Sequence, residues 1–136
     1  MSGRWRGPGV MAVVVLATAC ACGTPSERRD AVTAQVTRFE RALDAGQPLR
    51  LCAALAPATR EELEQSAERR CPRAIGTQDL PRAGPVRHVD VYGEQARVVL
   101  AHDTVFLAHF PTGWRITAAG CTPRPQRPYQ CEIKGG

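Results

Sequence analysis

The sequence predicts an α+β fold, with N-terminal helices packed on a curved antiparallel sheet of four to five strands, behind a cleaved signal peptide. Three observations predict it. Apolar residues recur at helical spacing through the first part of the mature chain, in Val32, Val36, Phe39 and Leu43. A stretch rich in proline and glycine, Pro72 to Pro85, then interrupts the pattern. Beyond it the period drops to two, in short β-rich runs separated by hairpin-length turns.

The first residues carry an export signal. Arg4 and Arg6 make a positive start, and Val10 to Ala17 is an apolar run too short to span a bilayer, which needs about 20 apolar residues. Small residues then lead into Cys20 and Cys22. Leu16-Ala17-Thr18-Ala19-Cys20 resembles the lipobox of bacterial lipoproteins, with Ala17 where leucine is commonest. That resemblance implies cleavage after residue 19 and a diacylglyceryl group on Cys20. The alternative is cleavage before Cys22, which discards Cys20 and leaves an even number of cysteines in the domain. Two acyl chains anchor stably where one does not, so the expected location is the outer face of the cytoplasmic membrane.

The domain is expected over residues 24–134, with helices over about 25–71 and the sheet over about 86–134. Thr24-Pro25-Ser26-Glu27 reads as a capping box that opens the first helix. Gly46 and Pro48 close it. No long tether separates the cysteines from this helix, which places the domain close to the bilayer. Arg28 and Arg29, within two turns of the anchor, are then candidates for contact with anionic headgroups.

Leu49, Leu51, Cys52 and Leu55 predict a short helix broken by Pro57. Thr59-Arg60-Glu61-Glu62 reads as a second capping box, opening a helix that runs through Arg70 until Pro72 stops it. Glu61, Glu62, Glu64 and Glu68 sit at helical spacing among arginines, the pattern of an exposed ion-paired face.

Four strands follow at Val86–Tyr92, Gln95–Ala101, Thr104–Phe110 and Trp114–Gly120. With Gly93-Glu94 as a two-residue turn, Val91 faces Ala96, Asp90 faces Arg97 and Val89 faces Val98. A last strand, Tyr129–Lys134, is expected after a proline-rich loop from Thr122 to Pro128.

Cys52, Cys71, Cys121 and Cys131 allow three pairings. The local one, Cys52–Cys71 with Cys121–Cys131, ties the helical hairpin and the proline-rich loop. Disulfides are preferred to a metal site, because an exported chain matures where thiols oxidise and the domain has no Cys-x-x-Cys pair. They also compensate for a core with only three Phe, two Trp and two Tyr in the whole chain.

Helices followed by a curved sheet, with Phe39 to Leu43, Cys52 to Pro57 and Gly113 to Cys121 as the carrying segments, resemble the nuclear transport factor 2-like (cystatin-like) architecture. They are similar in particular to small lipoproteins of GC-rich Gram-positive bacteria. The resemblance implies a cone-shaped sheet and leaves function open, since that architecture hosts enzymes and binding modules alike.

Formal charge is +5, and it falls to +3 once Arg4 and Arg6 leave with the signal. Acidic and basic residues alternate, which argues against a nucleic-acid surface. No phosphate loop, nucleophile elbow or metal constellation is present, and no cofactor is expected. Candidate acids and bases are His88, Asp90, His102, Asp103 and His109. None forms a nucleophile–base set by spacing, so no catalytic residue is assigned. Phe106, Phe110, Trp114 and Ile116 are the candidate lining of an apolar pocket at the cone mouth. The leading expectation is a non-catalytic, lipid-anchored module that binds a partner protein or small apolar ligand. The alternative is an isomerase- or dehydratase-like enzyme using His88 or His109.

Overall fold

A computed structural model describes residues 23–135, together with Ser2 and Gly3. The apolar run of the signal, the cleavage sites, Cys20 and Cys22 lie outside the described residues. The chain forms four helices and then a five-stranded antiparallel sheet in the order β1-β2-β3-β4-β5. Among the described residues no helix is long and apolar enough to cross a membrane.

Helix α1 spans Pro25–Asp44. Its start is the expected capping box: Thr24 Oγ1 accepts from the Glu27 N–H at 3.2 Å, and Glu27 accepts from the Thr24 N–H at 2.7 Å. Val32, Val36 and Phe39 form its buried stripe. Gly46 takes φ +60°, and the N–H groups of Gly46 and Gln47 return to the Leu43 and Ala42 carbonyls, a Schellman stop.

Helix α2, Pro48–Ala54, ends in an extended Leu55-Ala56. There the Ala56 N–H donates to the Ile116 carbonyl at 2.8 Å. Helix α3 covers Pro57–Ala67 and starts two residues before the expected Thr59 cap. Pro57 supplies the first turn, where its preset φ and missing N–H cost nothing. Thr59 is buried and donates its hydroxyl to the Thr117 carbonyl at 3.0 Å, so tertiary structure has taken the expected cap. The helix stops at Ala67 rather than Arg70, with Glu68 left-handed at φ 51°.

Pro72 begins a helix instead of ending one. Helix α4, Cys71–Ile75, takes the Glu64 carboxylate as its N-terminal acceptor, which receives the Cys71 N–H at 2.8 Å. Cys52 and Cys71 are bonded and join α2 to α4.

Strands β1 (Val86–Tyr92) and β2 (Gln95–Leu100) pair in the expected register, with Val91 opposite Ala96, Asp90 opposite Arg97 and Val89 opposite Val98. Strand β3 is Thr104–Phe110. Strand β4 is longer than expected, Gly113–Arg124, and β5 is Arg127–Lys134. The expected loop from Thr122 to Pro128 is therefore a strand extension around the two-residue turn Pro125-Gln126. Prolines survive in it because β5 is an edge strand and β4 has by then run past its register with β3, so a missing N–H breaks no ladder. Cys121 and Cys131 are direct cross-strand partners within this hairpin and are bonded.

The core lies between α1 and the inner sheet face. Val32, Val36 and Phe39 share one buried cluster with Val98, Leu107 and Ile116. Each such side chain contributes on the order of 2 kcal/mol through burial.

Candidate functional site

The sheet register decides where the predicted pocket residues go. Leu107 pairs with Ile116 and His109 with Trp114, so odd positions of β3 and, up to the register shift after Ile116, even positions of β4 face the helices. Phe106 and Phe110, on the other parity, face outward. Phe106 meets Tyr129 edge-on at 5.0 Å, because the β4–β5 hairpin folds back over the outer face. Ile116 is fully enclosed in the core. The four residues therefore do not line one pocket, since a strand's period of two puts Phe106 and Phe110 on the face opposite Trp114 and Ile116. The inner face itself is packed with aliphatic side chains.

Trp114 alone of the four reaches an opening. A groove of about 840 Å³ runs along α1, between that helix, α2 and the β3–β4 turn. Five arginines line it: Arg28, Arg38, Arg41, Arg50 and Arg115. Glu27 is its one acidic side chain, and the Thr24 N–H and hydroxyl hold that carboxyl below the usual carboxylate range. Trp114 forms part of the floor and is 7% exposed.

The arginines fall into two groups. Arg28 stands 5.4 Å from the Trp114 ring, a cation–π distance, and donates to the Gly93 carbonyl with Glu94 at 3.8 Å. Arg115 donates to the Ala53 carbonyl and, at 3.2 Å, to Thr112 Oγ1. These two fasten the β1–β2 turn and α2 to the groove walls. Arg38, Arg41 and Arg50 are exposed and have no ion-pair partner among the described residues, Arg38 donating only to Gln35 at 2.7 Å. Arg29, the other expected headgroup contact, is exposed but does not line the groove.

The candidate acids and bases are dispersed. His88 lies 2.7 Å from Asp90, which also accepts two bonds from Arg97 on the outer face. Arg97 and His88 hold the Asp90 carboxyl below its ordinary range, the Arg97 bonds being the larger cause. His109 lies at the groove edge, with Nδ1 2.7 Å from Glu94. Both histidine–carboxylate pairs are solvent-exposed. His102 is exposed at the β2–β3 turn.

Asp103, in the same turn, is a buried structural node. Its carboxylate accepts the N–H groups of Thr104, Gly120 and Cys121 at 2.7, 3.0 and 2.8 Å. Burial pushes its carboxyl up, and the three N–H donors pull against that shift. Gly120 holds φ +65°, and a Cβ there would stand 2.8 Å from Glu132. No spacing rule connects Asp103 with residues 120 and 121, so nothing in the residue pattern signals this role.

Glu40 was equally invisible. It lies on the flank of α1 away from the groove, near Ala83, Asp44 and Asp103. Burial pushes its carboxyl up to about 7, opposed by the Ala83 N–H and reinforced by the negative charges of Asp103 and Asp44.

Compared with family models, with curated proteins and with solved structures, the chain matches none.

Proposed function

We propose that this chain is a lipid-anchored extracytoplasmic binding module of the nuclear transport factor 2-like type. Its anchor is a diacylglyceryl group on Cys20, or alternatively Cys22, and its location is the outer face of the cytoplasmic membrane. The lipobox-like run before Cys20 supports the anchor, and the two cross-links among the four domain cysteines support maturation in an oxidising compartment. The helices-then-sheet order supports the architecture.

One observation carries the binding reading: an open groove with five arginines around Trp114, in a domain whose inner face is otherwise filled. Such a groove favours an anionic ligand with some apolar surface over the purely apolar ligand expected from the aromatic residues alone. Intact mass spectrometry of the mature protein, with and without reduction, tests the reading. The expected result is a chain cleaved before Cys20 or Cys22, carrying one diacylglyceryl group and two disulfides. An uncleaved chain with free, unmodified thiols overturns it.

A second reading, an isomerase- or dehydratase-like enzyme, rests on His109 and its 2.7 Å contact with Glu94 at the groove edge. A carboxylate-oriented imidazole is a general-base arrangement, but here it faces an open groove. Proton exchange into an enolisable substrate that disappears in His109→Gln supports the enzyme; its absence in the wild-type protein favours the module.

A further inference from the structure

We propose that the arginine groove along α1 is a docking surface for the anionic phospholipid headgroups of the bilayer that holds the chain. This inference rests on the lipid-anchor reading. Gly23 lines the groove and directly follows Cys22. Three residues at full extension span about 10 Å, so the acylated cysteine keeps this end of the groove within about one Debye length of the interface. An anionic bilayer is therefore a standing neighbour of the groove, present at a local concentration that a diffusing ligand does not match.

The charge is arranged to use that proximity. The lining carries five arginines against one glutamate, and that glutamate is engaged by the Thr24 cap. Arg38, Arg41 and Arg50 make no ion pair among the described residues, so none of the three is tied to an acid. They lie toward the far end of α1 from Gly23, so contact at both ends lays the helix along the membrane instead of standing it upright. Leu49 adds an apolar element at the same level. It is 73% exposed on α2, one residue from Arg50 and one turn before Ala53 of the groove wall. A protruding leucine among arginines suits the boundary between headgroups and acyl chains, where the cations meet phosphate and the leucine leaves water.

The test uses the full chain as C20A/C22A, which cannot be acylated, and vesicles of phosphatidylcholine with or without phosphatidylglycerol. The phosphatidylcholine arm subtracts whatever the apolar leader contributes. Two triple variants of equal charge are compared: R38Q/R41Q/R50Q in the groove, and R69Q/R87Q/R127Q outside it. The expected result is selective binding to phosphatidylglycerol vesicles at low salt, weakened roughly tenfold or more by the groove triple. The outside triple is expected to change it less than about twofold, and Leu49→Ser to weaken it several-fold. Equal losses in the two triples overturn the proposal in favour of net charge alone. Tighter binding of a poly-glutamate peptide than of vesicles overturns it in favour of an acidic protein partner. The two readings fail separately: wild-type protein that is acylated while its C20A/C22A form ignores phosphatidylglycerol removes the groove proposal only. Protein that is never acylated yet binds these vesicles through the groove removes the anchor only.

Discussion

The two flanks of helix α1 handle charge in opposite ways. On one flank Glu40 and Asp44 meet the connection at Arg82 and Ala83, and beyond it the buried Asp103. The Asp44–Arg82 ion pair there is exposed, but the half-buried Glu40 and the buried Asp103 are answered by backbone N–H. On the other flank Arg38 and Arg41 line an open groove and make no ion pair among the described residues. The difference separates charge that builds the fold from charge left available for a partner. A buried carboxylate must find donors, because leaving a buried polar group unpaired costs about 1–3 kcal/mol. An exposed arginine has no such obligation. Among the described residues no buried side-chain polar atom lacks a partner, so uncancelled charge is confined to the surface, the groove included.

Asp103→Ala gives the largest expected effect on the enclosed flank. It strands three backbone N–H groups and is expected to destabilise the fold by about 3–4 kcal/mol in denaturant unfolding. A loss below about 1 kcal/mol shows that water replaces the carboxylate and that the node is not structural.

Removing Cys52–Cys71 by a double alanine substitution follows. The bond closes a 19-residue separation and holds α2, a wall of the groove, on α4. About 3 kcal/mol is expected in the chain-entropy account. Anionic-vesicle binding should weaken as well, because the wall loosens. Stability lost with binding unchanged assigns α2 no part in the groove.

Glu40→Gln sharpens the comparison through pH. The folded carboxyl binds its proton more tightly than the unfolded one, with a value of about 7 against an ordinary 4.5. Its contribution is therefore full below pH 4.5 and declines as pH rises toward 7. Glu40→Gln should match the wild type at pH 4 and exceed it by about 1–2 kcal/mol at pH 8, after allowance for solvent screening. Identical pH profiles for the two proteins place the charge in water, not in an enclosed site.

Arg38→Gln with Arg41→Gln is the smallest expected change in stability, within about 0.5 kcal/mol by urea titration. A loss above about 1 kcal/mol means that these arginines hold the fold, and the two flanks then do not differ.

Much of the fold was legible because its causes are local. The Thr24–Glu27 cap, the stripe from Val32 to Phe39 and the β1–β2 register each follow from residues a few positions apart. The departures all have distant causes. Thr59 looked like a cap until Thr117, far along the chain, took its hydroxyl. Pro72 looked like a stop until Glu64 supplied the acceptor that α4 needed. The strand extension through Pro123, Pro125 and Pro128 depends on which partners flank those residues, and proline content alone does not specify that.

For the site the division is sharper. By itself the sequence determined the helices-then-sheet order, the pairing of Asp90 with Arg97, and the cysteines available for cross-links, since periodicity, turn length and residue type act over short separations. Only the tertiary structure decided that Phe106 and Phe110 turn away from Trp114, that Asp103 gathers the N–H groups of residues 120 and 121, and that five arginines from three elements share one groove. Those outcomes depend on which segments meet in space. A side chain's face is fixed by register, and a charge's role by the groups that burial brings beside it.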